Sequence, residues 1–315
     1  MECLGTMIIT VTLNPALDKT LTLPGFAVNT VNRVQNIRLD PGGKGINVSK
    51  TIKNLGGKTL CLGVLGGAPG GYIKAALDRM DLPNDFVITR ESTRTNIKIV
   101  DPVLGTNTDI NESGSPVSEE TLQKVWDKLL SVVKPGDTVV FAGKNPPEMQ
   151  DQLIAEAVEK LKKLDVHVCV DTVGEAMQLA LKAGPDIIKP NKEELSDLMG
   201  RRFSSVQEVL CAAQELVESG IGLVAVSMGA DGAVFLTKDC ILRGYCPKVS
   251  VASTVGAGDA MMAALAHYTA AGCSLEETAR RSIAVATASV MCSGSQPAEL
   301  DKILPLIDKV RIERI

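Results

Sequence analysis

Apolar runs suited to strands alternate with helical patterns along most of this chain, and that alternation sharply limits the folds open to it. Strand-like runs fall at residues 7–12, 59–65, 138–142, 166–170, 186–189 and 223–227. Between them, residues 48–55, 71–80, 119–133, 150–163, 175–181 and 206–219 carry apolar side chains at i, i+3 and i+4 spacing. Alternation of this length predicts an α/β fold, a mainly parallel central sheet covered on both faces by helices. In such sheets ligands sit beyond the carboxyl ends of the strands.

Two stretches break the pattern. Residues 19–40 alternate polar and apolar side chains with no helix signal, and residues 95–114 hold two more such runs around a turn at Gly105. Both read as antiparallel strands outside the main sheet, together forming a small β-sheet lid. No linker, composition shift or internal repeat divides the chain. Residues 1–315 are therefore read as a single domain with lid segments inserted at about 19–40 and 95–114. After Asp259 the pattern is helical, over 260–271 and 275–291, with Ser274 and Glu277 placed as a capping box.

Composition removes several function classes. Aromatic residues make up 3% and the net charge is −4 with no basic stripe, so stacking platforms and phosphate-tracking surfaces for nucleic acid are missing. No apolar run approaches the ~18 residues that span a membrane. Residues 1–6 lack the basic and apolar regions of a signal peptide, and the first strand is expected to begin at Met7. Eight cysteines are scattered without a Cys-x-x-Cys pair, as expected of a reduced cytoplasmic protein. With only His167 and His267 present, a histidine relay or a zinc site is not expected.

The chemistry is concentrated in Ser253-Thr254-Val255-Gly256-Ala257-Gly258-Asp259-Ala260. Small residues let backbone N–H groups approach an anion, and the helix that follows points its positive end at the same spot. A carboxylate beside an anion cradle serves binding poorly, because like charges repel. It serves transfer well if a hydroxyl lies between them, giving its proton to Asp259 while its oxygen attacks phosphorus. Small residues before a helix also make plain turns. A second Gly-rich turn weighs against that alternative: Asp40-Pro41-Gly42-Gly43-Lys44-Gly45-Ile46-Asn47-Val48 opens a helix with a cation and an amide. It lacks the spacing of a Walker loop and the third glycine of a dinucleotide fingerprint.

With these two segments in this order, the chain resembles the phosphofructokinase B family of ribokinase-like sugar kinases. The resemblance extends through Thr12-Leu13-Asn14-Pro15-Ala16-Leu17-Asp18, Thr93-Arg94-Thr95-Asn96, Lys189-Pro190-Asn191-Lys192-Glu193-Glu194 and Ser227-Met228-Gly229-Ala230-Asp231-Gly232. It implies a three-layer α/β/α sandwich with a lid, ATP and Mg²⁺ as partners of the reaction, and a phosphosugar acceptor. Asp259 is then the expected base, held ionised by its helix N-terminus, with Gly256, Ala257 and Gly258 cradling the phosphoryl group. Asn14, Asp18, Gly42, Gly43, Lys44, Asn47, Arg94, Asn96 and Asn111 are implied at the sugar phosphate, with Arg94 as the clamp on its phosphate. Lys189, Ser227, Gly229 and Thr254 are implied at the nucleotide. Asn191 and Glu194, with a helix-entry amide and a solvated acid as their bland alternative, would position Mg²⁺, directly or through water.

The resemblance leans towards the branch that phosphorylates fructose 1-phosphate, with tagatose 6-phosphate and then fructose 6-phosphate as alternative acceptors. A sugar-phosphate sensor without chemistry is the non-enzyme alternative, and a homodimer through the lid is a further implication. Two departures stand out. Ser253 replaces an Asp common in the wider family, so weak or no K⁺ activation is expected. Lys144 sits in Gly143-Lys144-Asn145-Pro146, where the family commonly has Gly-Ser-Leu-Pro.

Overall fold

All five residues of β1 (Ile8–Thr12) are buried, which requires neighbours on both edges and cover on both faces. The computed structural model describes residues 6–292 and 294–315. Residues 1–5, part of the segment read above for a leader, lie outside the described residues. β1 leads into β2 (Ala16–Thr22), β3 (Asn36–Gly42), α1 (Lys44–Asn54), β4 (Thr59–Gly66), α2 (Gly67–Arg79) and β5 (Val87–Thr89). There follow β6 (Arg94–Asp101), β7 (Thr106–Asn111), α3 (Glu119–Val132), β8 (Thr138–Ala142), α4 (Gln152–Lys162), β9 (His167–Asp171) and α5 (Gly174–Lys182). The chain continues as β10 (Ile187–Ile188), α6 (Lys192–Met199), α7 (Val206–Glu218), β11 (Leu223–Ser227), β12 (Ala233–Leu236) and β13 (Ile241–Tyr245). It closes with α8 (Ala257–Ala270), α9 (Leu275–Val290), α10 (Leu300–Ile307) and β14 (Arg311–Arg314).

The main sheet has ten strands in the order β14-β13-β12-β11-β10-β9-β8-β1-β4-β5. From β11 to β5 the pairings are parallel, as the alternation predicts, while β12, β13 and β14 add an antiparallel edge that local periodicity did not reveal. One apolar layer packs α3, α4, α5 and α7 on one face, built on Ile9, Val139, Val168 and Val224. The opposite face carries α1, α8, α9 and α10 on Ile8, Val140, Cys169 and Ala225, with α2 beside α1 over Cys61 and Leu65. Alternate residues of each strand thus feed opposite layers, giving the expected sandwich.

Because β4 lies on one side of β1 and β8 on the other, the sheet order reverses at β1, and ligands in open α/β sheets gather at such a point. Two local expectations change. α1 begins at Lys44 rather than at 48, since Ile46 is fully buried and the Gly-rich turn itself winds into the helix. Ser274 caps α9, but Glu277 pairs with Arg281 one turn on instead of completing a capping box.

The segments that break the alternation form a separate four-stranded sheet, β3-β2-β6-β7. Its outer pairings, β2 with β3 and β6 with β7, are antiparallel as expected, whereas the central pairing of β2 with β6 is parallel. Residues opposite one another share a face. Asp18 therefore stands beside Asp40 and Asn96, and Asn96 beside Asn111. Leu21 lies between Ile37 and Ile99 on the other face. One face is polar and the other apolar.

Candidate active site

The carboxyl ends of β1, β8, β9, β10 and β11 deliver Asn14, Asn145, Asp171, Lys189 and Ser227 to one rim, and α1 and α8 aim their N-termini there. Two clusters of polar side chains form on that rim.

The first centres on Asp259, in the opening turn of α8 and 7% exposed. Asn47 Nδ2 of α1 donates to its Oδ2 at 2.8 Å. Around it, Lys44 Nζ donates to Asp171 Oδ1 at 3.0 Å and lies 4.0 Å from Glu194 Oε1, while Lys189 Nζ stands 3.8 Å from Asp171 Oδ2. Burial pushes Asp259 up to about 6, helped by repulsion from Asp171 and opposed by Lys44, Asn47 and Lys189. This corrects the expectation that its helix N-terminus alone keeps it low: desolvation outweighs the dipole once the side chain is enclosed. Burial would raise Asp171 too, yet Lys189 and Lys44 hold it below the usual carboxylate range. Lys44 is held above its usual value despite burial, by Asp171, Asp259 and Glu194. The cluster is thus two ammonium groups flanking an acid held below the usual carboxylate range, with a second acid raised to about 6.

Gly256 enters α8 at φ 83°. Gly258 and Asp259 lie in the first turn of α8, where a helix leaves N–H groups without an intrahelical acceptor. A Cβ at Gly258 would stand 3.2 Å from Lys189 Nζ, so glycine keeps open the space between backbone and ammonium. Donors, cations and room of this kind fit a phosphate group.

The second cluster occupies the polar face of the small sheet. Asn96 Nδ2 donates to Asp18 Oδ1 at 2.9 Å. Arg94 donates to Asn14 O at 3.2 Å, to Asn96 Oδ1 at 3.2 Å and to Glu112 O at 3.0 Å. Asn14 Nδ2 donates to Ser113 O at 2.9 Å and to Asn145 O at 3.4 Å. Gly42 is required here by close approach, because a Cβ on it would lie 2.2 Å from Asp18 Oδ2. Gly43 follows as the N-cap of α1. Asn111 sits on exposed β7, opposite Asn96.

Lys44 does not join Arg94, although sequence placed both at the sugar phosphate; its ammonium belongs to the Asp259 cluster. Asn191 and Glu194 meet as a reciprocal capping box: Asn191 Oδ1 accepts the Glu194 N–H and Glu194 Oε2 accepts the Asn191 N–H. Those oxygens are committed, which leaves Glu194 Oε1 facing Lys44. Ser227 bridges to Asn191 along the strand ends, Gly229 opens the turn between β11 and β12, and Thr254 is exposed with its carbonyl accepting from Ala257. Ser253 Oγ is taken by the Val255 N–H at 3.2 Å, and Lys144 is exposed.

The sequence profile of the pfkB family carbohydrate kinases matches residues 1–302. This chain belongs to the pfkB family. A 1-phosphofructokinase of Rhodobacter capsulatus is 40% identical, with 87% of each chain covered. One from Borreliella burgdorferi is 34% identical over 98% of this chain and 99% of its own. Among solved structures, phosphofructokinase-2 from Escherichia coli in complex with fructose-6-phosphate superposes with a TM-score of 0.91 at 29% identity, covering 96% of this chain and 99% of that one. The fold is ribokinase-like. As a pfkB carbohydrate kinase the chain is a phosphotransferase, and the sensor alternative falls away. Among the described residues no helix is long and apolar enough to cross a membrane.

Two residues of this pfkB site escaped the sequence. Asp171 ends an apolar strand, where a lone acid reads as the start of a turn. Its place between Lys44 and Lys189 comes from β9 lying beside β10 and from the N-terminus of α1 reaching the same rim. Lys50, inside α1, looks like a solvated lysine and is 5% exposed.

Proposed function

We propose that this kinase transfers the γ-phosphoryl group of ATP to the free primary hydroxyl of fructose 1-phosphate, giving fructose 1,6-bisphosphate. The observation that carries the reading is Asp259, held by Asn47 beside Lys44 in the opening turn of α8. Asp259 takes the hydroxyl proton as the new O–P bond forms and the bond to the ADP oxygen breaks. Gly256 and Gly258 with Lys44 and Lys189 balance charge on the transferring group, whereas the Ala257 N–H is turned to Thr254 O. Asp18, Asn96 and Asn14 orient the sugar, and Arg94 clamps its phosphate. The small sheet closes as a lid and keeps water from the phosphoryl group.

Among the described residues no group of three acidic, histidine or cysteine side chains could hold a metal by itself. Mg²⁺ would arrive with ATP and keep most of its waters, positioned by Glu194 Oε1, the oxygen that the capping box leaves uncommitted, rather than by Asn191, whose Oδ1 caps α6. Bound there, the ion neutralises phosphate charge. The reading places the reaction in the cytoplasm. Since Ser253 spends its hydroxyl on its own turn, weak K⁺ dependence accompanies the reading.

The second copy of this chain fits the apolar face of the small sheet. Ile37 and Ile110 are each 53% exposed there, and the adjoining loop adds Val28 at 87% and Val31 at 79%. Burying that face against its equivalent gives a two-fold dimer.

The test is ADP release with fructose 1-phosphate, tagatose 6-phosphate and fructose 6-phosphate. Fructose 1-phosphate is expected to give the highest kcat/KM by about tenfold or more. A preference for either 6-phosphate would overturn the assignment.

A further inference from the structure

Along the face it turns to the site, α1 sets Lys44, Asn47 and Lys50 three residues apart, so they line up on the helix. Lys44 answers Asp171 and Asn47 answers Asp259. Lys50 is the third, and its burial is costly for an ammonium unless charge and donors are both met. Its Nζ donates to Pro41 O at 2.9 Å and to Ser295 O at 3.4 Å. Burial pushes Lys50 down, and the charges of Asp40, Asp18 and Asp259 act against that.

The two carbonyls belong to opposite walls of the site. Pro41 is in β3, immediately before the Gly42 that packs on Asp18. Ser295 backs the turn that opens α8, its Cα 3.4 Å from the place of a Cβ on Gly256. One ammonium therefore ties the sugar wall to the anion wall, from the same helix that holds Asp259 through Asn47. An apolar side chain would fill the same volume without desolvating a charge, so packing alone does not account for a lysine here.

We propose that Lys50 is a positioning residue that fixes the spacing between the end of β3 and the turn opening α8, aligning the acceptor hydroxyl with the phosphoryl group. This rests on the phosphotransferase reading above, and the experiment separates the two. Lys50→Met and Lys50→Arg are made in the full chain and assayed with whichever sugar phosphate the wild type accepts, alongside ADP release without sugar. Lys50→Met is expected to lower kcat about 100-fold with KM for ATP within about twofold, since an ångström of misplacement costs that much. ADP released per sugar phosphorylated should rise above one, because a loosened site passes phosphate to water. Lys50→Arg, which keeps charge and donors, should regain at least about a tenth of wild-type turnover.

Lys50→Met with kcat within about threefold of wild type would overturn the proposal, as would equal losses in both KM values with ADP release still matched to transfer. A Lys50→Met chain that does not fold moves the comparison to Lys50→Gln, judged by the same two ratios. A wild type that phosphorylates no sugar phosphate sinks the kinase reading itself. Normal wild-type transfer with an indifferent Lys50 variant sinks only this proposal.

Discussion

Asp259 pays in stability for its chemistry. Burial raises its folded pKa from 3.8 to about 6, so the folded state disfavours the ionised form that accepts a proton. The sign follows from linkage: the stability tied to this group is fully present below about pH 4 and is lost as pH rises through about 6. At neutral pH the wild type carries that penalty, so Asp259→Asn should be more stable by roughly 1–3 kcal/mol, a Tm higher by a few degrees. Thermal melts at several pH values check this: the gap should narrow towards about pH 4, and a less stable variant at neutral pH would refute it. The same pKa sets the acid limb of catalysis. As pH falls from about 8 to about 5, kcat/KM for the phosphosugar should fall through an ionisation near 6. A profile flat down to about pH 5 would exclude Asp259 as the group that must be ionised. Sequence marked this residue but not its pKa, because enclosure by α1 and the proximity of Asp171 are properties of the folded packing.

At the scale of elements, α1 is the joint of the site. Its Gly-rich entrance packs against β2 and the end of β1, its first turn places Lys44 and Asn47, and its second buries Lys50. Gly42→Ala tests the entrance. The added Cβ would meet Asp18 Oδ2 at 2.2 Å and Ala16 O at 3.0 Å, so Asp18 must swing away and break its bond to Asn96. KM for the phosphosugar should rise about tenfold while KM for ATP changes little, as steady-state kinetics would show. Equal rises would mean that the distortion spreads to the nucleotide wall. The parallel core strands were legible because each is a short apolar run bounded by turns. The pairing of β2 with β6 was not, since it joins residues about 80 positions apart and leaves no local period. The edge strands β12 to β14 were missed because Ile241–Tyr245 and Arg311–Arg314 mix charged and apolar side chains, and the four residues of β12 are too few to set a period.

For the whole molecule, the small sheet does two jobs with its two faces. The polar face brings Asp18, Asn96 and Arg94 to the rim of the main sheet, while the other leaves Ile37 and Ile110 exposed, the face proposed for a second copy. Sedimentation of the wild type should give a dimer, and Ile37→Asp with Ile110→Asp should shift it to monomer with the fold intact by circular dichroism. A wild type that sediments as a monomer at micromolar concentration would refute the dimer. The broad architecture was readable because alternation fixes layers, and the motifs fix which edge is used. The partnership between the layers was not, since Asp171 and Lys50 gain their meaning only from neighbours that the topology supplies.

Asp259, in the opening turn of α8, is proposed to receive the acceptor proton beside the N–H groups that bind the phosphoryl group. Turnover of Asp259→Asn with fructose 1-phosphate and ATP tests it most directly. A fall in kcat of about 10³-fold or more is expected, with both KM values within a few-fold of wild type. A variant that retains more than about a tenth of wild-type kcat would contradict it.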